Sequence, residues 1–236
     1  MKSLLGGLGL ASGGEVESSD LLDEPPRLLK RGAEADLYIS TFEGYKVIVK
    51  RRVCKSYRLP ELDRRIREYR TSHEAQLLHE AKVAGVPTPI IFFVDRVNFE
   101  IIMLYIEGVR LRDCLGEMSE PQRSRICRTV GYSIALLHRN EIVHGDLTTS
   151  NLILTADGRL FFVDFGLGFH SRSLEDQGVD LFLLLRALQS YHYRYAKSCF
   201  TEVMKGYGKV VGSRKLSEVE AKIEEIRRRG RYVLER

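Results

Sequence analysis

Two polar segments on either side of a short hairpin constrain this chain most strongly. The first reads HGDLTTSN over residues 144–151, and the second reads VDFG over residues 163–166. The apolar runs around an Asp-Gly turn between them predict two paired strands, which bring Asn151 and Asp164 to adjacent strand ends. A carboxylate at Asp146, an amide and a second carboxylate are groups that hold metal ions against a triphosphate. The pattern therefore predicts a phosphoryl-transfer site.

The pattern of the whole chain predicts two lobes of different character. Residues 25–107 contain short apolar strands, one long helical stretch after Pro60 and two further strands, which is typical of a small antiparallel sheet with a helix. Residues 108–226 are mainly helical by their apolar spacing, apart from the hairpin. The fold class is therefore α+β. Residues 1–24, rich in Gly, Ser and acidic residues, predict a disordered leader, and residues 227–236 predict a basic C-terminal tail.

Composition excludes several classes of protein. The 236 residues include four widely spaced cysteines without a C-x-x-C pair, so we expect free thiols rather than a metal-thiolate site. The first residues are too glycine-rich for a signal peptide, and no run approaches the roughly 20 apolar residues of a membrane span. We expect an intracellular protein, in the cytoplasm, the nucleus or both, with no membrane partner. The net charge of +5 permits an anionic partner without requiring one.

A lysine and a glutamate upstream of the hairpin complete a nucleotide site. Lys50 ends the third predicted strand, where its ammonium reaches the α and β phosphates, and Glu74 on the long helix holds that ammonium in place. A lone Lys or Glu is usually a solvated surface charge, but the order lysine, helix glutamate, HxD, asparagine and DFG favours a site. Small residues between the first two strands allow close approach of the backbone to phosphates. That phosphate-covering loop comprises Arg31, Gly32, Ala33, Glu34 and Ala35.

Each polar side chain around the hairpin has a candidate role. Asp146 orients or accepts the proton of an attacking hydroxyl or water. Asn151 and Asp164 supply the hard oxygen ligands that Mg²⁺ prefers. His144 is interpreted as a structural residue of the loop. Two roles stay open for Asp180, which either caps its helix or accepts hydrogen bonds from the loop backbone.

The order of these residues resembles that of the protein kinase superfamily. The resemblance implies a trimmed bilobal kinase-like fold, with a small antiparallel N-lobe and a mainly helical C-lobe, that binds ATP and Mg²⁺. It also implies that the adenine contacts a hinge at Met103, Leu104 and Ile106. Two features depart from the superfamily: Gly145 replaces the arginine that usually pairs with a phosphorylated activation loop, and no Ala-Pro-Glu motif follows Gly166. Neither a loop-phosphorylation switch nor a peptide-docking platform is expected.

A narrower resemblance is to the small atypical kinase subunit of the KEOPS complex. It is carried by KRGAEA at 30–35, by HGDLTTSN and DFGL, by EDQGVDL at 175–181 and by RRRGR at 227–231. It implies an ATPase and serine/threonine protein kinase that works with the threonylcarbamoyl transferase subunit and the other KEOPS subunits. Together these make threonylcarbamoyladenosine on tRNA, at the adenosine next to the anticodon.

Two basic segments are candidates for tRNA contact. Residues 50–70 hold nine Lys or Arg against three acidic residues, and residues 222–236 hold six against three. Such segments suit contact with tRNA phosphates, although the first equally suits a solvated helix face. For the second, the resemblance favours tRNA or partner contact. Its candidate residues are Arg227, Arg228, Arg229 and Arg231.

Two other functions stay open. A small-molecule phosphotransferase of the aminoglycoside or choline kinase type also carries an HGD loop and lacks a long activation segment. Such enzymes usually enclose the acceptor with an enlarged helical lobe, whereas only seventy residues follow Gly166. The other alternative is a pseudokinase scaffold, which is disfavoured because the lysine, both carboxylates and the asparagine are all present.

Overall fold

The computed structural model describes residues 18–234, with side chains described through Arg229. The N-terminal lobe is a five-stranded antiparallel sheet with one helix, and the strand order is β1-β2-β3-β5-β4. Its elements are β1 (Arg27–Lys30), β2 (Ala35–Phe42), β3 (Tyr45–Arg52), α1 (Pro60–Val83), β4 (Ile91–Asp95) and β5 (Glu100–Leu104).

The central strand β3 separates the two faces of this sheet. Val47 and Val49 are fully buried on one face, where they pack with Ile102. Because successive strand residues point to opposite faces, Lys50 and Arg52 point to the face that α1 covers. The apolar alternation of β3 thus places two cations against the helix.

The C-terminal lobe is mainly helical and contains the hairpin. α3 and α5 pack so closely that glycine is required at their contact: a Cβ on Gly131 would lie 1.8 Å from the carbonyl oxygen of Val203. α5 is interrupted at Gly212, which has a non-helical φ of 79°. The elements are β6 (Val109–Arg110), α2 (Leu111–Cys114), α3 (Glu120–Arg139), β7 (Ile142–Val143), β8 (Leu152–Leu154), β9 (Leu160–Phe162), β10 (Phe169–His170), α4 (Leu174–Tyr191) and α5 (Ala196–Leu234).

The hairpin forms as the sequence predicts. β8 and β9 pair antiparallel, with Leu152 opposite Phe162 and Leu154 opposite Leu160. The chain then makes the short pair of β10 with β7 and enters α4 at Leu174. The α+β class and the trimmed bilobal kinase-like architecture are therefore confirmed, and residues 167–173 alone separate Gly166 from the next helix.

The predicted disordered leader is too long at its C-terminal end. Residues Ser18–Leu21 form a turn of 3₁₀ helix, and Ser18 is buried. Its backbone N–H donates to Asp95 at 2.9 Å, and its hydroxyl donates to Glu100 at 2.5 Å. The buried carboxylates need donors, and Ser18 supplies them. Residues 1–17 of that prediction lie outside the described residues.

The predicted basic tail begins inside a helix and not after one. α5 continues as helix through Leu234, because its second segment packs on α4 through side chains such as Lys222 and Ile226. The side chains after Arg229 lie outside the described residues. Within residues 18–234, every helix is too short or too polar to cross a membrane.

Candidate active site

Lys50 is held between two carboxylates from different lobes. Its Nζ lies 2.6 Å from Glu74 Oε1 on α1 and 2.7 Å from Asp164 Oδ1 after β9. Burial by itself would lower the pKa of Lys50, but the charges of Glu74 and Asp164 outweigh it and raise that pKa above its ordinary value. The ammonium therefore stays charged at the junction of the lobes.

Asp146 and Asn151 are joined by hydrogen bonds within their loop. The side-chain amide of Asn151 donates to the Asp146 carbonyl at 2.8 Å and to the Asp146 carboxylate at 2.9 Å. Because the amide nitrogen is occupied, the carboxamide oxygen of Asn151 is the atom left for a cation. The arrangement fixes the Asp146 carboxylate while leaving it half-buried.

Asp164 takes a left-handed backbone conformation, with a φ of 64°. Such a conformation is strained for a residue other than glycine and is common at functional sites. Burial would raise the pKa of Asp164, but the charge of Lys50 outweighs it and holds the pKa below the ordinary aspartate value. Asp164 is therefore an anion at neutral pH.

Asp180 binds the backbone of the HGD loop through its side-chain carboxylate. It lies in the middle of α4, whose N-terminus is capped by the Ser173 side chain, so the capping role is wrong. Its carboxylate accepts hydrogen bonds from the backbone N–H groups of His144 and Gly145, both at 3.0 Å, and contacts His138 Nε2 at 3.2 Å. His144 is fully buried, and its Nε2 lies 3.2 Å from the Val163 carbonyl oxygen. A buried polar network thus fixes the HGD segment.

Two adjoining cavities lie between the lobes. A cavity of about 390 Å³ has the hinge segment on one side and Asn151 and Asp164 on the other. A second, of about 270 Å³, lies under the loop between β1 and β2 and contains both Asp146 and Asp164. Apolar residues of the first include Leu29, Leu37, Ile48, Met103, Leu104, Ile106 and Ile153. The loop residues at the second are Gly32, Ala33, Glu34 and Ala35.

Every candidate residue of the nucleotide site except one lines at least one of these cavities. Arg31 is exposed and lines neither of the two cavities. Gly32 is required by the tight loop, since a Cβ there would lie 2.4 Å from the Ala35 carbonyl oxygen. Glu34 pairs with Arg70 at 2.7 Å. The loop therefore lines the second cavity through residues 32–35 and not through Arg31.

Two further cations line the second cavity, Arg52 on β3 and Arg70 on α1. The sequence motifs do not predict either of them. A signal for Arg52 is present in the sequence, because it follows Lys50 by two residues and so shares its face of the strand. For Arg70, helical spacing gives the signal, since it lies one turn before Glu74.

The site fits a magnesium ion that is shared with phosphates. Asp164 and the free oxygen of Asn151 line the same cavity, and hard oxygen ligands of this kind suit Mg²⁺. Among the described residues, no cluster of three His, Cys, Asp or Glu side chains has metal-binding geometry. A two-ligand site of this kind leaves positions for nucleotide oxygens and water, which is how Mg²⁺ commonly binds with phosphates.

Known proteins match this chain along most of its length. Residues 43–201 match the family described as protein kinase domain. The KEOPS complex subunit Bud32 of Pyrococcus abyssi (strain GE5 / Orsay) is 48% identical over 212 residues, which cover 87% of this chain and 96% of that protein. This chain is a member of the Bud32 family. The EKC/KEOPS complex subunit Tp53rkb of Mus musculus is 38% identical, with 91% of each chain covered.

A longer relative and a more distant solved structure also match this chain. A probable bifunctional tRNA threonylcarbamoyladenosine biosynthesis protein of Methanothermobacter thermautotrophicus is 41% identical over 92% of this chain, which spans 38% of that protein. The Rio2 kinase of Chaetomium thermophilum superimposes with a TM-score of 0.56 at 15% identity, over 86% of this chain and 73% of that chain. That likeness concerns the fold alone. Both resemblances found in the sequence are confirmed.

The C-terminal arginines of this Bud32-family chain lie far in sequence from the cavities and pair with carboxylates. Arg227 and Arg228 contact Glu224 at 2.8 and 3.4 Å, and Arg229 contacts Glu175 of α4 at 2.6 Å. Exposed pairs of this kind contribute little to stability, so their guanidinium groups remain able to exchange partners. The side chain of Arg231 lies outside the described residues.

Proposed function

We propose that this chain is the ATP-dependent subunit of a KEOPS complex, an ATPase and atypical serine/threonine kinase that supports threonylcarbamoyladenosine formation on tRNA. The observation that carries the proposal is the meeting of Lys50, Glu74, Asp146, Asn151 and Asp164 at two adjoining cavities. The names of its Bud32-family relatives supply the complex and the tRNA product.

In this proposal ATP lies along the two cavities. Its adenine occupies the apolar cavity beside the hinge residues Met103, Leu104 and Ile106. Its triphosphate lies under the loop between β1 and β2, where the Lys50 ammonium binds the α and β phosphates. Asn151 and Asp164 would hold Mg²⁺, which would neutralise phosphate charge.

Asp146 acts on the group that attacks the γ-phosphorus. Its carboxylate, held by Asn151, orients a water or a hydroxyl and accepts its proton as the new P–O bond forms and ADP leaves. Only residues 167–173 separate Gly166 from α4, so little chain is available to dock a peptide. This short segment therefore favours water as the acceptor of the phosphoryl group. The proposed protein partner is a threonylcarbamoyl transferase subunit. The location in cytoplasm or nucleus stays a prediction.

ATP turnover tests the proposal. We expect the wild-type chain to hydrolyse ATP in the presence of Mg²⁺ and the threonylcarbamoyl transferase subunit, and Asp164→Ala to lose at least about 10²-fold of that rate, because a charge-neutralising oxygen ligand is removed. Asp157→Ala, in the exposed hairpin turn, is the matched control and should keep the wild-type rate. If the wild-type chain turns over no ATP even with the partner, the scaffold function replaces this proposal.

The C-terminal arginines allow a separate test of the tRNA role. We expect replacement of Arg227, Arg228, Arg229 and Arg231 by alanine to weaken tRNA binding by the assembled complex and to leave ATP binding intact. Removal of each ion pair with a phosphate should reduce the slope of log K against log salt by about one. A charge-matched variant with alanine at four exposed arginines elsewhere serves as the control: Arg125, Arg139, Arg194 and Arg214. An unchanged salt slope in the first variant contradicts the tRNA role of this helix end.

A further inference from the structure

Arg52 connects the central strand to two successive turns of α1. Its side chain is 4% exposed. Its Nη2 donates to Glu74 Oε2 at 2.6 Å and to the Arg70 carbonyl oxygen at 3.1 Å. Arg70 and Glu74 lie one helical turn apart, so one guanidinium fixes that part of α1 against β3.

Glu74 uses both of its oxygens in this contact. Oε1 binds Lys50 and Oε2 binds Arg52, and the Glu74 side chain is only 1% exposed. A buried carboxylate oxygen without its partner carries a large desolvation cost. Without Arg52, rotation of Glu74 toward water would recover that cost, and Lys50 would lose the group that aims it at the phosphates.

The four charged side chains that meet around Glu74 and Lys50 have no net charge only when Arg52 is present. Lys50 and Arg52 carry two positive charges, and Glu74 and Asp164 carry two negative charges. Removal of Arg52 leaves a net negative cluster beside the place proposed for a triphosphate. Anion binding there therefore depends on this second cation.

Among the described residues, the side chains that donate to Glu74 are Lys50 and Arg52, both on β3, and none comes from a loop. Gly145 stands where kinases usually carry the arginine that pairs with a phosphorylated loop. Its φ is 77°, and a Cβ there would lie 2.0 Å from the Leu167 carbonyl oxygen. The segment after Asp164 thus packs directly on the HGD backbone. Next to it, the Cβ position of Gly166 is 3.4 Å from both Arg52 Nη2 and Glu74 Oε2, so the absence of a side chain keeps the pair uncrowded.

We propose that Arg52 is a positioning residue: from the central strand it holds Glu74, and through Glu74 the Lys50 ammonium, in the phosphate-binding arrangement, without phosphorylation of the segment after Asp164. The proposal rests on the proposed function for its kinetic consequence. One competing role exists. Arg52 Nε is buried without an acceptor among the described residues, and Arg52 lines the second cavity. Its Nε–H could therefore donate directly to a phosphate.

The first experiment compares Arg52→Met with Arg51→Met. Arg51 lies on the same strand, points to the opposite face and pairs with Glu100, so it is a matched control. We expect Arg52→Met to lower ATP turnover by the complex at least about tenfold, and Arg51→Met to leave it within about twofold. Arg52→Lys, which can reach one carboxylate oxygen but lacks a planar fork, should recover part of the loss. Equal effects of the two methionine variants overturn the proposal.

A double-mutant cycle with Glu74→Gln separates positioning from direct phosphate contact. If Arg52 acts through Glu74, Arg52→Met adds little to the loss already caused by Glu74→Gln. If it binds phosphate itself, the two losses multiply and the proposal is wrong. Arg52→Lys replaces Arg52→Met in the cycle if the methionine variant does not fold.

The crystal structure of the nucleotide-free Arg52 variant gives a readout that does not depend on ATP turnover. We expect the distance between Lys50 Nζ and Glu74 Oε1 to exceed 2.6 Å clearly, because Glu74 turns away, while Arg51→Met keeps the pair. An intact Lys50–Glu74 pair in the Arg52 variant overturns the proposal, even if the wild-type chain proves to be inactive. If the wild-type chain turns over no ATP but Glu74 is displaced in the Arg52 variant, the proposed function is contradicted and the positioning role of Arg52 is not.

Discussion

Asp146→Asn is expected to lower ATP turnover by about 10²- to 10⁴-fold, the usual contribution of a positioned general base. Asparagine keeps the shape of the side chain, but it cannot take a proton from the attacking water or hydroxyl. The fold should survive, because Asp146 is only half-buried and its backbone carbonyl still accepts the hydrogen bond from Asn151. Steady-state turnover of the complex and thermal unfolding of the isolated chain check the two statements.

The control for Asp146 is the same substitution at an exposed aspartate of the hairpin. Asp157→Asn changes net charge equally but lies in the turn between β8 and β9, where it pairs with Arg159. It should keep full turnover. An Asp146→Asn variant with near-normal turnover and an unchanged ATP affinity would exclude Asp146 as the base, while leaving nucleotide binding at the cavities intact.

Asp180→Asn is expected to destabilise the chain by about 3 kcal/mol, or about 6 to 12 °C in the unfolding midpoint. The buried carboxylate of Asp180 accepts from two backbone N–H groups and contacts His138. An asparagine amide offers one acceptor oxygen in place of two, so its NH₂ group faces a donor and a buried N–H is left unpaired. Denaturant or thermal unfolding of the purified chain measures this loss.

The same substitution has a defined pH dependence. Burial would raise the pKa of Asp180, but the hydrogen bond and charge of His138 and the His144 backbone N–H hold it below the ordinary aspartate value. A carboxyl group whose folded pKa is lowered stabilises the fold above its unfolded pKa, and this contribution is lost as pH falls through the folded pKa. The stability difference between wild type and Asp180→Asn should be constant near neutral pH and shrink below about pH 4.

Asp176→Asn provides the comparison for Asp180. Asp176 lies one turn earlier on α4 and accepts a hydrogen bond from the Ser171 hydroxyl in a partly exposed position. We expect a loss of about 1 kcal/mol or less there. If the two variants unfold at the same midpoint, the Asp180 network does not hold the HGD segment as the geometry indicates.

The hairpin and its two ends were predictable from sequence because their signals are local. Alternating apolar runs around Asp157-Gly158 predict paired strands, and pairing sets Asn151 and Asp164 side by side without any knowledge of the rest of the fold. The long helix and its Glu74 follow from helical spacing in the same way. Their partner Lys50 follows from its place at the end of the third predicted strand and from the order lysine, helix glutamate, HxD, asparagine and DFG.

The errors lie where the outcome depends on distant contacts. The composition of residues 1–24 predicts a disordered leader, yet Ser18 is buried against Asp95 and Glu100, which lie 77 and 82 residues away. Residues 227–236 predict a basic C-terminal tail by composition, but Arg229 pairs with Glu175 of α4, 54 residues earlier. Composition describes the average preference of a segment and carries no information about which carboxylates face it.

The sequence by itself determined the class of this protein: an α+β chain with an HGD loop, a DFG segment and a short stretch before the next helix, in an order of residues that resembles kinases. Those features are local in the chain, so periodicity and motif spacing report them. Only the tertiary structure decided how the site is held. Arg52 reaches Glu74 across 22 residues, and Asp180 reaches the HGD backbone across about 35. Such contacts arise from the packing of α1 on β3 and of α4 under the loop, because packing alone brings separate elements within hydrogen-bond distance.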